Sequence, residues 1–127
     1  MKVRCENLIN PITGAKEEIS KWLTIGETYL VLSMYAFVGR DVMLRLIGDD
    51  ANTPILVNAR QFSTVCTEVP SNWRAIIDDN GTFFLTPEAW SKPGFWESYF
   101  NGERAARQIF MEELRKIETE ESCPLLA

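Results

Sequence analysis

Between residues 27 and 85, short runs rich in β-branched and aromatic residues alternate with clusters of glycine, proline, aspartate and asparagine. Such runs favour β-strands, and the turn-forming residues between them favour tight connections. The runs that we interpret as strands are residues 28–38, 42–47, 54–58, 61–68, 73–77 and 81–85. Because their spacing is short and rich in turns, we expect antiparallel pairing.

A helix is predicted for residues 102–117, where apolar residues adopt the i, i+3, i+4 spacing of one helix face. This stripe consists of Ala106, Ile109, Phe110, Leu114 and Ile117. Beyond it the period is lost, so residues 119–127 are predicted to form a flexible tail after a single domain at 1–118. The expected fold is α+β and mostly antiparallel: a small SH3-like barrel or a strongly curved sheet with an appended C-terminal helix.

The first part of the chain carries weaker signals. Residues 2–6 are a short strand candidate, and residues 15–22 leave two alternatives open, one or two helical turns or an irregular lead-in. The N-terminus lacks the uninterrupted apolar segment of a secretory signal, and the longest apolar stretch, residues 29–38, is too short to cross a bilayer. We therefore expect a cytoplasmic protein that has no membrane partner.

The charge balance constrains the partners that such a chain attracts. It has 13 basic and 18 acidic residues, a net charge of −5. An acidic surface repels the phosphate backbone, so nucleic acid is not expected as a partner. The same charge steers the chain toward a basic protein, or serves only to keep it soluble.

The chain contains no histidine, which excludes Ser-His-Asp and Cys-His catalytic arrangements and every metal site that needs an imidazole. Its glycines form neither a dinucleotide nor a phosphate-binding motif. Cys5, Cys66 and Cys123 are odd in number and widely spaced, which predicts neither a disulfide framework nor a metal site. We therefore expect no enzyme activity, no cofactor and no metal.

Two pairs of aspartates, Asp49-Asp50 and Asp78-Asp79, lie in predicted strand connections. Aspartate is favoured in turns because its side chain accepts hydrogen bonds from nearby backbone amides. If the two connections meet at one end of a barrel, the four carboxylates form a negative patch instead. With Trp73 as an aromatic anchor, these residues are the candidate partner-binding set.

Residues 90–100 contain five aromatic residues around a Pro-Gly break. Two interpretations are open for this segment. It folds back and closes the open end of the sheet, or it presents an aromatic groove around Trp90 and Trp96 that binds a small ligand or a peptide.

Three stretches carry a resemblance to a known group of proteins: residues 22–32, residues 69–73, and residues 87–90 running into 94–100. Together they resemble small, mostly uncharacterised bacterial proteins, some of which serve as immunity proteins of contact-dependent toxin systems. The resemblance covers most of residues 22–117. It implies a protein that binds a cognate toxin domain, often a basic nuclease, and blocks its active site.

Two functions are therefore expected from the sequence. The first is an immunity-type protein that neutralises a cognate, basic and nuclease-like toxin domain. The second is a small-ligand or peptide-binding module that uses an aromatic groove around Trp90 and Trp96. The sequence does not predict the oligomeric state.

Overall fold

A computed structural model describes residues 1–121 and confirms an α+β fold in which all paired strands run antiparallel. The strands are β1 Lys2–Cys5, β2 Leu8–Ile9, β3 Lys16–Glu17, β4 Thr28–Ala36, β5 Met43–Ile47, β6 Pro54–Asn58, β7 Phe62–Cys66, β8 Trp73–Ile77 and β9 Phe83–Pro87. The helices are α1 Phe95–Phe100 and α2 Arg104–Glu120, and short 3-10 turns cover Ala59–Gln61 and Glu88–Ser91.

The long strand β4 organises the sheet. One of its sides pairs with β5, and its other side pairs first with β1 and then with β9. The main path through the sheet is β6-β5-β4-β1-β7, and β8 pairs with β9. Within residues 1–121 the end strands β6 and β7 do not pair, so the curled sheet does not close. The strongly curved sheet is confirmed, and the SH3-like barrel is wrong.

Strand β4 contains a bulge, and residues on either side of it pack into two different hydrophobic cores. The register between β4 and β5 shifts between Val31 and Ser33, so Val31 lies opposite Leu46 and Ser33 lies opposite Arg45. One core packs on the first face around Val31, Leu44 and Leu46, all at most 2% exposed. A second core on the other face joins Leu32 to the helices. The extra residue of the bulge, Leu32, therefore supplies its side chain to the second core.

The aromatic segment before α2 belongs largely to the second core. Trp90, Phe95 and Tyr99 are buried and pack against Phe110 of α2. Trp96 is half-buried, whereas Phe100 remains 52% exposed. The expectation that this segment folds back into the core is therefore confirmed for its buried members. The groove expected around Trp90 is wrong, because that ring is only 2% exposed.

The predicted stripe of α2 is confirmed for Ala106, Phe110, Leu114 and Ile117, which are buried. Ile109 lies at the margin of the stripe and is 37% exposed. The helix also continues to Glu120, so the first residues of the predicted tail are helical. This last turn is held because the Glu120 carboxylate accepts hydrogen bonds from the backbone N–H and the hydroxyl of Ser71.

The N-terminal region forms a small two-stranded hairpin. Strand β2 pairs with β3, with Leu8 opposite Glu17. Residues 18–27 then follow an irregular path to β4. Of the two alternatives for residues 15–22, the helical one is therefore wrong.

Candidate functional site

The two aspartate pairs lie at opposite ends of the sheet. Asp49 and Asp50 follow β5 beside the start of β4, since Val31 pairs with Leu46. Asp78 and Asp79 precede β9 beside the end of β4, since Ala36 pairs with Phe83. Strand β4 has nine residues, and at about 3.3 Å per residue its ends lie roughly 26 Å apart. The single negative patch expected from the sequence therefore does not form.

Asp49 is tied to the chain on both of its carboxylate oxygens. The Tyr29 hydroxyl donates to Oδ1 at 2.6 Å, and the Thr24 hydroxyl donates to Oδ2 at 2.7 Å. Burial and the bond to Asp49 raise the pKa of Tyr29 to about 12. The same phenolic oxygen accepts a hydrogen bond from the backbone N–H of Thr24 at 2.8 Å. Asp49 therefore holds the loop before β4 against the β5–β6 connection.

Asp50 organises the connection itself. Its carboxylate accepts hydrogen bonds from the backbone N–H groups of Asn52 and Thr53, both at 3.0 Å, and from the Thr53 hydroxyl. These hydrogen bonds, that of the Thr53 hydroxyl first, lower the pKa of Asp50. The turn interpretation is thus confirmed at Asp50, and the exposed carboxylate remains ionised at neutral pH.

Exposed apolar side chains lie next to these carboxylates. Trp22 is 36% exposed and Ile25 is 50% exposed. The backbone oxygen of Trp22 accepts from the N–H of Asp49 at 2.8 Å, which places the two residues side by side. Glu27, two residues after Ile25, is also exposed. We call this surface the acidic end: Trp22, Ile25, Glu27, Asp49 and Asp50.

The remaining sequence candidates are structural or isolated. Asp78 accepts from the N–H groups of Asn80 and Thr82 at 2.9 and 3.0 Å, which confirms a turn role there. Asp79 is exposed at the same hairpin tip. Trp73 is 7% exposed, and its indole N–H donates to the backbone oxygen of Leu32 at 2.9 Å. Its ring is therefore part of the core and offers no surface to a partner.

A groove of about 1270 Å³ runs along the edge strand β6, between the N-terminal hairpin region and strand β5. No local pattern in the sequence predicts it, because its walls come from distant parts of the chain. Its charged lining residues are Glu17, Arg40, Asp41, Arg45 and Arg60. Three cations against two carboxylates give this groove a charge opposite to that of the whole chain.

Arg45 is the unusual member of this lining, because it is a cation only 9% exposed. Its Nε donates to the Tyr35 hydroxyl and its Nη1 to the backbone oxygen of Pro54, both at 3.3 Å. The guanidinium carbon lies 3.9 Å from the centre of the Trp96 ring. Trp96, the half-buried member of the aromatic segment, therefore supports a charged group that lines the groove.

The cysteines correct one expectation from the sequence. Cys66 is buried and disulfide-bonded, whereas Cys5 is a free buried thiol. Burial raises the pKa of the Cys5 thiol. The prediction that the cysteines form no disulfide is therefore wrong at Cys66, although its burial on strand β7 is confirmed. Cys123 lies outside the described residues.

Residues 1–121 contain neither a cluster of metal ligands nor a membrane-spanning helix. In that part of the chain no group of three or more cysteine, aspartate and glutamate side chains is placed to hold a metal ion. Nor does any helix in it combine the length and the apolar character needed to cross a bilayer.

Comparison of the chain with protein-family models, with curated proteins and with solved structures finds no match in any of the three. Function therefore has to be inferred from the two surfaces that the fold creates. These are the acidic end and the groove along β6.

Proposed function

We propose that this chain is an immunity-type protein, which binds a cognate toxin domain through the acidic end and blocks a basic active site. The observation that carries the proposal is the juxtaposition of three carboxylates with two exposed apolar side chains. Trp22, Ile25 and Glu27 are exposed on the loop before β4, and Asp49 and Asp50 are exposed on the β5–β6 connection that this loop contacts. A desolvated apolar anchor surrounded by charge is the arrangement that dominates the energetics of many protein interfaces.

The carboxylates of the acidic end are held in place before any partner arrives. Both oxygens of Asp49 and both oxygens of Asp50 take part in hydrogen bonds within the chain. A preorganised charge loses little side-chain entropy on binding, so more of its attraction to a basic cleft is retained as affinity. The net charge of −5 adds long-range steering toward such a partner.

These hydrogen bonds favour binding over catalysis. A carboxylate that acts as a general base needs a free oxygen directed at a substrate proton. The Asp50 pKa is lowered, which is opposite to the direction that a proton donor at neutral pH requires. We therefore propose a role without turnover and without a cofactor, in the cytoplasm that the toxin enters.

Co-expression with the toxin domain encoded next to this chain tests the proposal. The wild-type chain is expected to restore growth and to co-purify with the toxin. A double variant, Trp22→Ala with Glu27→Lys, is expected to lose at least tenfold in affinity, because it removes the anchor and reverses one charge. Neither side chain is part of a hydrophobic core, so folding is expected to be retained.

The matched control is Asp79→Lys, which changes charge by the same amount at the opposite end of β4. Its affinity for the toxin domain is expected to remain within about twofold of wild type, since exposed charges far from an interface are screened at physiological salt. Absence of a complex and of growth rescue with the wild-type chain would reject the proposal.

A further inference from the structure

The charge of Arg45 is only partly compensated within the described chain. Across residues 1–121, no carboxylate lies within the 4.0 Å ion-pair distance of its guanidinium. A guanidinium has five N–H donors, and the bonds to Tyr35 and Pro54 engage one on Nε and one on Nη1. A buried cation is costly unless an anion pairs with it, and the Trp96 ring supplies only part of that compensation.

The position of Arg45 gives an anion access to it. Arg45 lines the groove along β6, on the same side of the sheet as its cross-strand partner Leu56. Leu56 is 38% exposed, and Phe100, which also lines the groove, is 52% exposed. Apolar side chains therefore flank a cation that is short of a counter-charge.

The backbone of β6 offers a further point of attachment. This strand pairs only with β5 among the described residues, so one of its edges is unpaired. The N–H of Ala59 donates to the backbone oxygen of Val42, which sets the alternation of the ladder. Successive residues of an antiparallel strand direct their backbone N–H and C=O groups alternately toward and away from the paired strand. Because Ala59 bonds to Val42, the N–H and C=O of Leu56 face away from β5. An extended peptide can pair with that residue.

We propose that the groove along β6 binds an extended segment of a partner protein, with an aspartate or glutamate of that segment paired to Arg45. Pairing with the Leu56 backbone sets the position of the segment, and Leu56 and Phe100 receive its apolar side chains. This is strand addition at a sheet edge, in which backbone bonds supply affinity and side-chain contacts supply specificity. A bidentate carboxylate contact satisfies two of the three remaining guanidinium donors.

Charge argues for one acidic segment rather than a polyanion. Asp41 accepts from the Asn58 amide at 3.0 Å and pairs with Arg60 at 3.4 Å, so these two charges largely cancel at the mouth of the groove. Arg40 and Glu17 are the other charged residues of the lining and are exposed, so Arg45 is the buried cation of the groove, and a single carboxylate matches it. A phosphate backbone requires many cations and meets a chain of net charge −5.

The groove and the acidic end share Trp22 at their border but have opposite charge preferences, so this proposal goes beyond the toxin-binding role. Selection of a random nonapeptide library, displayed on phage, against the immobilised full-length chain tests it. The recovered peptides are expected to share one aspartate or glutamate flanked by β-branched or aromatic residues. A synthetic copy with both ends capped is expected to bind at least tenfold more tightly than the same peptide with glutamine or asparagine at the acidic position.

Variants of the protein test whether Arg45 and Leu56 contact the peptide. Arg45→Gln is expected to lower the affinity for the capped peptide at least tenfold, since the peptide carboxylate loses its partner. Leu56→Asp, at an exposed position, is expected to do the same by repelling the acid, and it keeps the test valid if Arg45→Gln does not fold. Ile77→Asp is the matched control, because Ile77 is 73% exposed on the distant edge strand β8.

Glu27→Lys, which alters the acidic end, is expected to leave peptide binding within about twofold of wild type. Failure of the toxin-binding proposal therefore does not affect this test. The proposal is overturned if no peptide is enriched, if the enriched peptides lack a shared acid, or if Leu56→Asp binds them as tightly as wild type.

Discussion

The guanidinium carbon of Arg45 lies 3.9 Å from the centre of the Trp96 ring. This contact links strand β5 to helix α1, and Trp96 in turn packs edge-on against Trp90 and Phe110. The cation therefore joins the sheet to the second core while remaining at the wall of the groove. Removal of the Trp96 ring changes both the stability of the fold and the support of the groove.

Trp96→Ala is expected to lower the free energy of unfolding by about 3 kcal/mol, because it removes ring contacts and the stacking on Arg45. Urea unfolding followed by circular dichroism measures the change. Phe100→Ala is the control: its ring is 52% exposed, and the expected loss is below about 1 kcal/mol. Equal losses in the two variants would contradict the role assigned to Trp96.

The second core is expected to depend on Phe110. This residue is 2% exposed, and its ring lies 5.0 Å from Trp90 in a stacked arrangement. Phe110→Ala is expected to cost about 4 kcal/mol, since the cavity lies among rings that cannot easily collapse into it. Met111→Ala, at the next helix position and 41% exposed, is expected to cost less than about 1 kcal/mol in the same measurement.

The bond between Tyr29 and Asp49 predicts a loss of stability at high pH. Burial first, and the Asp49 bond second, raise the pKa of Tyr29 to about 12, above its usual value of 10.0. The contribution of Tyr29 to the free energy of unfolding is fully present below pH 10. It is lost as the pH rises toward 12, because the unfolded state releases the phenolic proton first. Unfolding measured between pH 8 and pH 12 tests this prediction.

Tyr29→Phe is expected to remove that part of the alkaline loss, and Asp49→Asn is expected to bring the pKa of Tyr29 closer to its usual value. Absorbance near 295 nm reports the ionisation directly. Ionisation of Tyr29 near pH 10 would contradict the geometry described for this residue.

The neighbouring aspartates of the β8–β9 hairpin have different expected roles. Asp78→Ala removes the acceptor for two backbone N–H groups and is expected to cost about 1 to 2 kcal/mol. Asp79→Ala changes an exposed side chain and is expected to stay within about 0.5 kcal/mol. Thermal unfolding of both variants distinguishes them, and a larger effect at Asp79 would contradict the turn geometry.

Local features of the fold were predictable from the sequence because short-range chemistry determines them. Strand β6 matches its predicted bounds, and the apolar stripe of α2 is recovered apart from Ile109. Strand β9 begins at Phe83 and not at Gly81, because Asp78 bonds Thr82 and lengthens the connection. The β2–β3 hairpin escaped prediction since its strands have two residues each.

Long-range relationships were not predictable. The pairing of β4 with β1, β5 and β9 joins segments far apart in sequence, and no local pattern specifies it. That pairing separates Asp49 from Asp78 and leaves the edge of β6 open. Trp22 carries no special sequence signal, and its place beside Asp49 follows only from the folded loop. The sequence therefore singled out Asp49 and Asp50 of the proposed binding surface, but not their neighbours in space.

We propose that the acidic end carries the binding function. Hydrogen–deuterium exchange of the full-length chain, alone and with the toxin domain encoded next to it, tests this claim most directly. We predict a complex of nanomolar or tighter affinity, with slowed exchange confined to residues 22–27 and 48–53. Slowed exchange at residues 77–82 instead, or no change anywhere along the chain, would contradict it.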